Sequence, residues 1–187
     1  MTWLWILLGV VLLIVLWLVT AYNGLIGLRN RVDNAWAQVE VQLKRRYDLI
    51  PNLVETVKGY AAHEQQTFER VIAARNAAQS AQGPAEQAQA ENLLTGALRQ
   101  LFALAEAYPE LKTNETFLHL QTRITGLENS IADRREFYND SVNVNNVRVE
   151  QFPDTLVARL FGFGQFSLLR FATEEKQDVN LKQLFNQ

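Results

Sequence analysis

Between Trp3 and Val19 the chain reads WLWILLGVVLLIVLWLV, a run with no charge and no proline. Extended through Thr20, Ala21 and Tyr22, it comprises 20 residues. At a rise of about 1.5 Å per residue, a helix of that length crosses the roughly 30 Å hydrocarbon layer of a bilayer. Such a run excludes most soluble folds, because a helix apolar on every side finds little to bury itself against in a chain of 187 residues. Its aromatic residues stand at the ends, Trp3 and Trp5 at one and Trp17 and Tyr22 at the other. Amphipathic rings settle there, between lipid and water. The competing reading is a secretory signal cleaved after Ala21. No basic residue precedes the run, however, and it exceeds the roughly 7–15 residues of a signal core. Residues 1–22 therefore read as a retained transmembrane anchor.

Arg29 and Arg31 follow the span closely, near enough to touch lipid headgroups. Lysine and arginine beside a span favour the cytoplasmic side. The expected topology is single-pass in a bacterial inner membrane, N-terminus out, with the rest of the chain in the cytoplasm.

Beyond the anchor the pattern is helical. Leu25, Leu28, Val32, Ala35, Trp36, Val39 and Leu43 recur at spacings that mark one face of an amphipathic helix. A second stripe, from Leu53 to Ile72 and including Tyr60, fades near Gly83 and Pro84. A third helix is expected from about Ala85 to Tyr108, closed by Pro109. A fourth opens near Thr113 or Asn114, both good N-caps. Short connections make these neighbours antiparallel, so residues 23–151 read as an all-α bundle of about four long helices. Pro51 removes a backbone donor, and a break is expected there. That break matters for the C-terminal part. Four helices would bring the following segment back beside the anchor, whereas a continuous helix through Pro51 would leave three and carry it away.

Residues 152–187 form a separate segment. Five of the ten phenylalanines, at 152, 161, 163, 166 and 171, lie between Phe152 and Phe171. Asp154 could cap a short helix with Leu156, Val157, Leu160 and Phe161 on one face. Leu160, Phe161, Phe163 and Phe166 are candidates for contact with a membrane interface, the chain's own bundle or another subunit. The final stretch, TEEKQDVNLKQLFNQ, is mostly polar.

Residues that could carry chemistry are sparse. The net charge of −2 gives no strong basic field, so nucleic acid is not an expected partner. There is no cysteine, hence no thiolate metal site. His63-Glu64 begins like a zinc-protease motif, but Thr67 stands where the second histidine is required. No glutamate lies three residues before His63 or His119, as di-iron bundles need. Nor is there a nucleophile elbow or a phosphate loop. The reading is therefore no catalytic residue, no metal ligand and no cofactor.

Lys44, Arg45 and Arg46 form the densest basic cluster, and with Asp48 they make a candidate partner surface. Along a straight helix Lys44 lies roughly 33 Å beyond Tyr22. The Debye length at physiological salt is about 8 Å, so this cluster does not serve the membrane that holds the anchor. Pairing with Glu40 and Asp48 is the plainer alternative. Trp36 and Tyr60, at helical spacing, read as core.

Taken together, Tyr22-Asn23, Asn34-Ala35-Trp36, the run from Leu43 to Leu53 (LKRRYDLIPNL), Lys58-Gly59-Tyr60 and His63-Glu64 closely resemble the LemA family. Phe152-Pro153 and Phe161-Gly162-Phe163 are similar to its C-terminal part. The likeness covers residues 1–165. At the extreme C-terminus the chain departs from it, with Val179-Asn180-Leu181 where a Pro-x-Val-x-Phe-like sequence is expected. The resemblance implies a single-span inner-membrane protein with a helical bundle and no known enzymatic activity. It also implies a part in organising or shaping membranes. Two functions are thus expected. The first is a self-assembling scaffold that organises or remodels the membrane or recruits partners. The second is a monomeric adaptor for a membrane protease or signalling protein, working through its 43–60 surface. The bilayer and a second copy of the chain are the expected partners, and a further protein partner has no assigned identity.

Overall fold

A computed structural model describes residues 2–169, and these fold into six helices: α1 (Thr2–Lys58), α2 (Gln65–Ser80), α3 (Gly83–Ala105), α4 (Pro109–Lys112), α5 (Glu115–Glu150) and α6 (Asp154–Phe161). No strand occurs among the described residues. The chain is all-α, with α1, α2, α3 and α5 as its long helices. Phe171 and the unusual Val179-Asn180-Leu181 lie outside the described residues.

The helices belong to two compact units. The first holds residues 2–49 and 122–168. On α1, Leu25, Val32, Ala35, Val39 and Leu43 are buried, as their spacing requires; on α5, Ile124, Ile131, Tyr138 and Val142 are buried likewise. The rings of Trp36 and Tyr138 meet edge-on at 5.6 Å. Arg134 donates to the Gln38 side chain at 2.9 Å, and Arg46 pairs with Glu128 at 3.6 Å. Numbers fall along α5 as they rise along α1, so the two helices run antiparallel.

The second unit holds residues 50–121 together with Leu169. Here α2 and α3 form an antiparallel hairpin. The Gln87 amide donates to the Ala78 carbonyl at 2.9 Å near its tip, and Arg70 reaches Gln100 further down. Gly83 enters α3 at φ 78°, a left-handed conformation open to glycine at little cost. Phe102 and Phe117 pack edge-on at 6.3 Å. Asn114 caps α5 as expected, its side-chain oxygen accepting the Phe117 N–H at 2.9 Å.

The expected break at Pro51 does not occur, because α1 continues through it to Lys58. A proline inside a helix costs on the order of 3 kcal/mol. Ile50, Leu53, Val54 and Val57 around it are all at most 2% exposed. Burying side chains of this size contributes about 1.5–3 kcal/mol each, so packing outweighs the lost hydrogen bond. The turn falls later, where Tyr60 and Ala61 both donate to the Val57 carbonyl at 3.0 Å. The helix count is therefore preserved by a different route, and α6 returns to the base of the apolar run even though α1 is unbroken.

Candidate functional site

The first part of α1 is long and apolar enough to cross a membrane. Its large side chains from Trp3 to Val19 are almost all exposed, with Trp3 and Trp5 fully outward and Trp17 half-buried. A surface of this character is stable in lipid rather than in water.

The exposed run ends where the chain begins to pack. Ala21 and Leu25 on α1 are buried against Val157 and Ala158 of α6, and Trp17, Leu18, Tyr22, Val149 and Phe163 close around them. Tyr22 joins the two elements. Its ring lies 4.8 Å from that of Phe161 and meets Phe163 edge-on at 5.7 Å. Offset and edge-on aromatic pairs contribute about 0.5–1.5 kcal/mol beyond the area they bury. The helix stops at Gly162, whose φ of 72° lets the Phe163 N–H return to the Ala158 carbonyl at 2.9 Å.

Asp154 does not cap α6. Pro153 occupies the N-cap position, and the buried Asp154 carboxylate pairs with Arg148 near the end of α5. Nor do all the apolar residues of α6 share one buried face. Val157 points inward, whereas Leu156, Leu160 and Phe161 are 56%, 72% and 53% exposed, and the preceding Phe152 is 75% exposed.

Phe166 lies apart from these residues. Asn146 on α5 accepts from the Phe166 N–H and donates to its carbonyl, both at 2.9 Å. Asn145 donates to the Gly164 carbonyl, Gln165 bonds Glu150, and the Tyr138 hydroxyl reaches the Ser167 carbonyl at 3.3 Å. A strap of non-helical chain is thereby fixed along α5, mainly by side-chain amides. The sequence carries its signal in Asn145 and Asn146, because asparagine side chains in a helix favour bonds to backbone groups. Burial, followed by the nearby Asp33 carboxylate, pushes the Tyr138 hydroxyl pKa up.

The basic residues do not form a single surface. Lys44, Arg45 and Asp48 are exposed, but Arg46 is only 2% exposed and belongs to the core rather than to a partner surface. Helix phase explains the difference: position 46 falls on the stripe of Val39, Leu43 and Ile50, while 44 and 45 point away. The pairing expected of Glu40 goes elsewhere, since it accepts from the Trp36 indole at 2.8 Å. Trp36 itself is half-buried. Tyr60 is 39% exposed rather than core, and its hydroxyl accepts from Asn114 at 2.9 Å. Arg29 and Arg31 are exposed, with Arg31 lying 5.7 Å above the Phe137 ring. His63 and His119 are exposed. Among the described residues no group of three histidine, cysteine or carboxylate side chains could hold a metal ion.

The model of the LemA family matches residues 35–182. Magnetosome protein MamQ 2 of Paramagnetospirillum magneticum is 26% identical over 172 residues, 78% of this chain and 63% of that protein. Magnetosome protein MamQ of Magnetospirillum gryphiswaldense is similar to the same degree, 26% over 172 residues. Protein LemA of Metamycoplasma hominis is 24% identical over 168 residues, 88% of this chain and 75% of that protein. The chain spans 63% of the length of the MamQ relatives it matches.

Proposed function

The chain belongs to the LemA family, and from that premise we propose that it is a non-enzymatic membrane scaffold. Its anchor lies in a bacterial inner membrane, with the N-terminus out and the helical domain in the cytoplasm. Copies assemble side by side and organise or remodel that bilayer, or recruit partners to it. The observation that carries this reading is the exposed apolar helix from Trp3 to Val19, which runs without a break into the packed helices. Ala21, where a signal peptide would be cut, is 4% exposed against α6, so the end of the span is also part of the core. That favours an anchor kept in the working protein.

Confinement to one bilayer raises the effective concentration of copies, so weak lateral contacts suffice for assembly. Phe137, Val144 and Val147 on α5 leave apolar side chains exposed for such contacts. The names of the MamQ relatives place those proteins in the magnetosome, a setting compatible with membrane organisation. Extraction in mild detergent, followed by mass determination by light scattering, tests the assembly. A mass several times the 21.4 kDa chain is expected; a strict monomer overturns self-assembly.

The adaptor is the second reading. Lys44 and Arg45 are exposed and make no ion pair among the described residues. Charge reversal at both positions abolishes partner recruitment if the chain is an adaptor, and leaves the assembled mass unchanged if it is a scaffold.

A further inference from the structure

Resting on the reading that α1 crosses the bilayer, we propose that α6 is a second membrane contact: an interfacial helix whose outward face lies in the headgroup boundary beside the anchor. The face has the right composition. Leu156 and Leu160, four residues apart, share one side of α6, and Phe161 adjoins them. All three are more than half exposed, as is Phe152 just before the helix. Arg159 is exposed on a different flank, where its long side chain can reach lipid phosphates.

The face is also continuous with the span. The inner side of α6 packs on Ala21 and Leu25, with Trp17 and Leu18 against the same cluster. Trp17 to Leu25 covers about 12 Å of helix around the water-side end of the span. An interfacial helix sits about 5–10 Å deep in that zone. Trp17 and Leu18, on the side of α1 that α6 covers, join the two apolar surfaces. Tyr22, which stacks on Phe161, is the type of ring that prefers this depth.

Two contacts would do what one span cannot. A lone helix rotates and tilts freely about its axis, whereas a helix with a docked interfacial arm presents a fixed side to its neighbours. The occupant is lipid, and a second copy or another part of the chain is the competing cover.

The test uses the full-length chain, which has no native cysteine. Leu160→Cys and Val10→Cys are each labelled with an environment-sensitive fluorophore. The protein is placed one copy per nanodisc of phosphatidylcholine and phosphatidylglycerol, with bromines set shallow or deep along the acyl chains. The expected result is blue-shifted emission at position 160 with stronger quenching by shallow than by deep bromines, and deep quenching at position 10. Water-like emission at 160 with quenching intact at 10 overturns the proposal and leaves the span standing. Blue-shifted emission at 160 without bromine quenching assigns the face to protein cover and also overturns it. Burial only in discs holding several copies assigns the face to a second copy. Loss of quenching at both positions overturns the span itself.

Discussion

Arg46 shows how far single residues can depart from their local sequence. Lys44, Arg45 and Arg46 read as one basic cluster, yet only Arg46 is buried, paired with Glu128. The signal was present in the spacing 39, 43, 46, 50, which is the buried stripe itself, but a charge on that stripe is read as surface until its partner is known. That partner comes from α5, 82 positions away by the numbering of the pair, a separation invisible to periodicity. Removing one member of a buried pair costs about 3–5 kcal/mol when the other stays buried. Glu128 is 31% exposed and can rehydrate, so Arg46→Ala is expected to cost less, about 1–3 kcal/mol. Lys44→Ala and Arg45→Ala should stay within about 0.5 kcal/mol. Thermal melts by circular dichroism in detergent compare the three. Tyr138 gives a second expectation. Its pKa is raised in the folded chain, so above about pH 10 the unfolded chain loses this proton while the folded chain keeps it. Folding stability is then fully present below that pH and declines as pH rises further. Tyr138→Phe retains the ring against Trp36 and lacks this decline, so the stability gap between the two proteins should change in the variant's favour between neutral and strongly alkaline pH.

At the scale of elements, the sequence located helices better than their ends. The apolar stripe of α1 and the cap at Asn114 follow from spacing and side-chain chemistry, and both are present in the structure. Pro51 was misleading because its cost is local and legible, whereas the burial of Ile50, Leu53 and Val54 that offsets it depends on residues distant in sequence. The same holds for α6. Phenylalanine content marked the segment, but only tertiary structure divides its apolar residues into Val157 inward and Leu156 and Leu160 outward. Gly162 sets where that helix ends. A side chain at its φ of 72° costs about 1–2 kcal/mol, although the added Cβ meets nothing within 4 Å. Gly162→Ala should therefore destabilise through the backbone alone. Hydrogen exchange should quicken in α6 and in the strap held by Asn146, and remain unchanged in the α2–α3 hairpin. Equal quickening in the hairpin would mean that α6 does not open independently.

For the whole molecule, the most legible feature was the apolar run, and the least legible was which residues pack at its end. Twenty uncharged residues fix a preference for lipid whatever follows them. Arg29 and Arg31, the nearest charges, then bias the direction of insertion. The packing at the end of the span ties it to the rest of its unit. Ala21 and Leu25 pack on α6, and the Asp154 carboxylate and Arg148 are held within the same unit. From the flanking arginines alone, one orientation is expected to predominate. Because the chain has no native cysteine, Thr2→Cys and Asn143→Cys each give a single reporter. Asn143 is exposed on α5, in the same unit as the span. In intact spheroplasts an impermeant maleimide should label position 2 and spare position 143, and lysis should make position 143 reactive. The reverse pattern would place the helical domain outside and reassign Arg29 and Arg31 to the outer headgroups. Labelling of both positions in intact spheroplasts would show two orientations, and with it that the flanking arginines do not fix the direction of insertion.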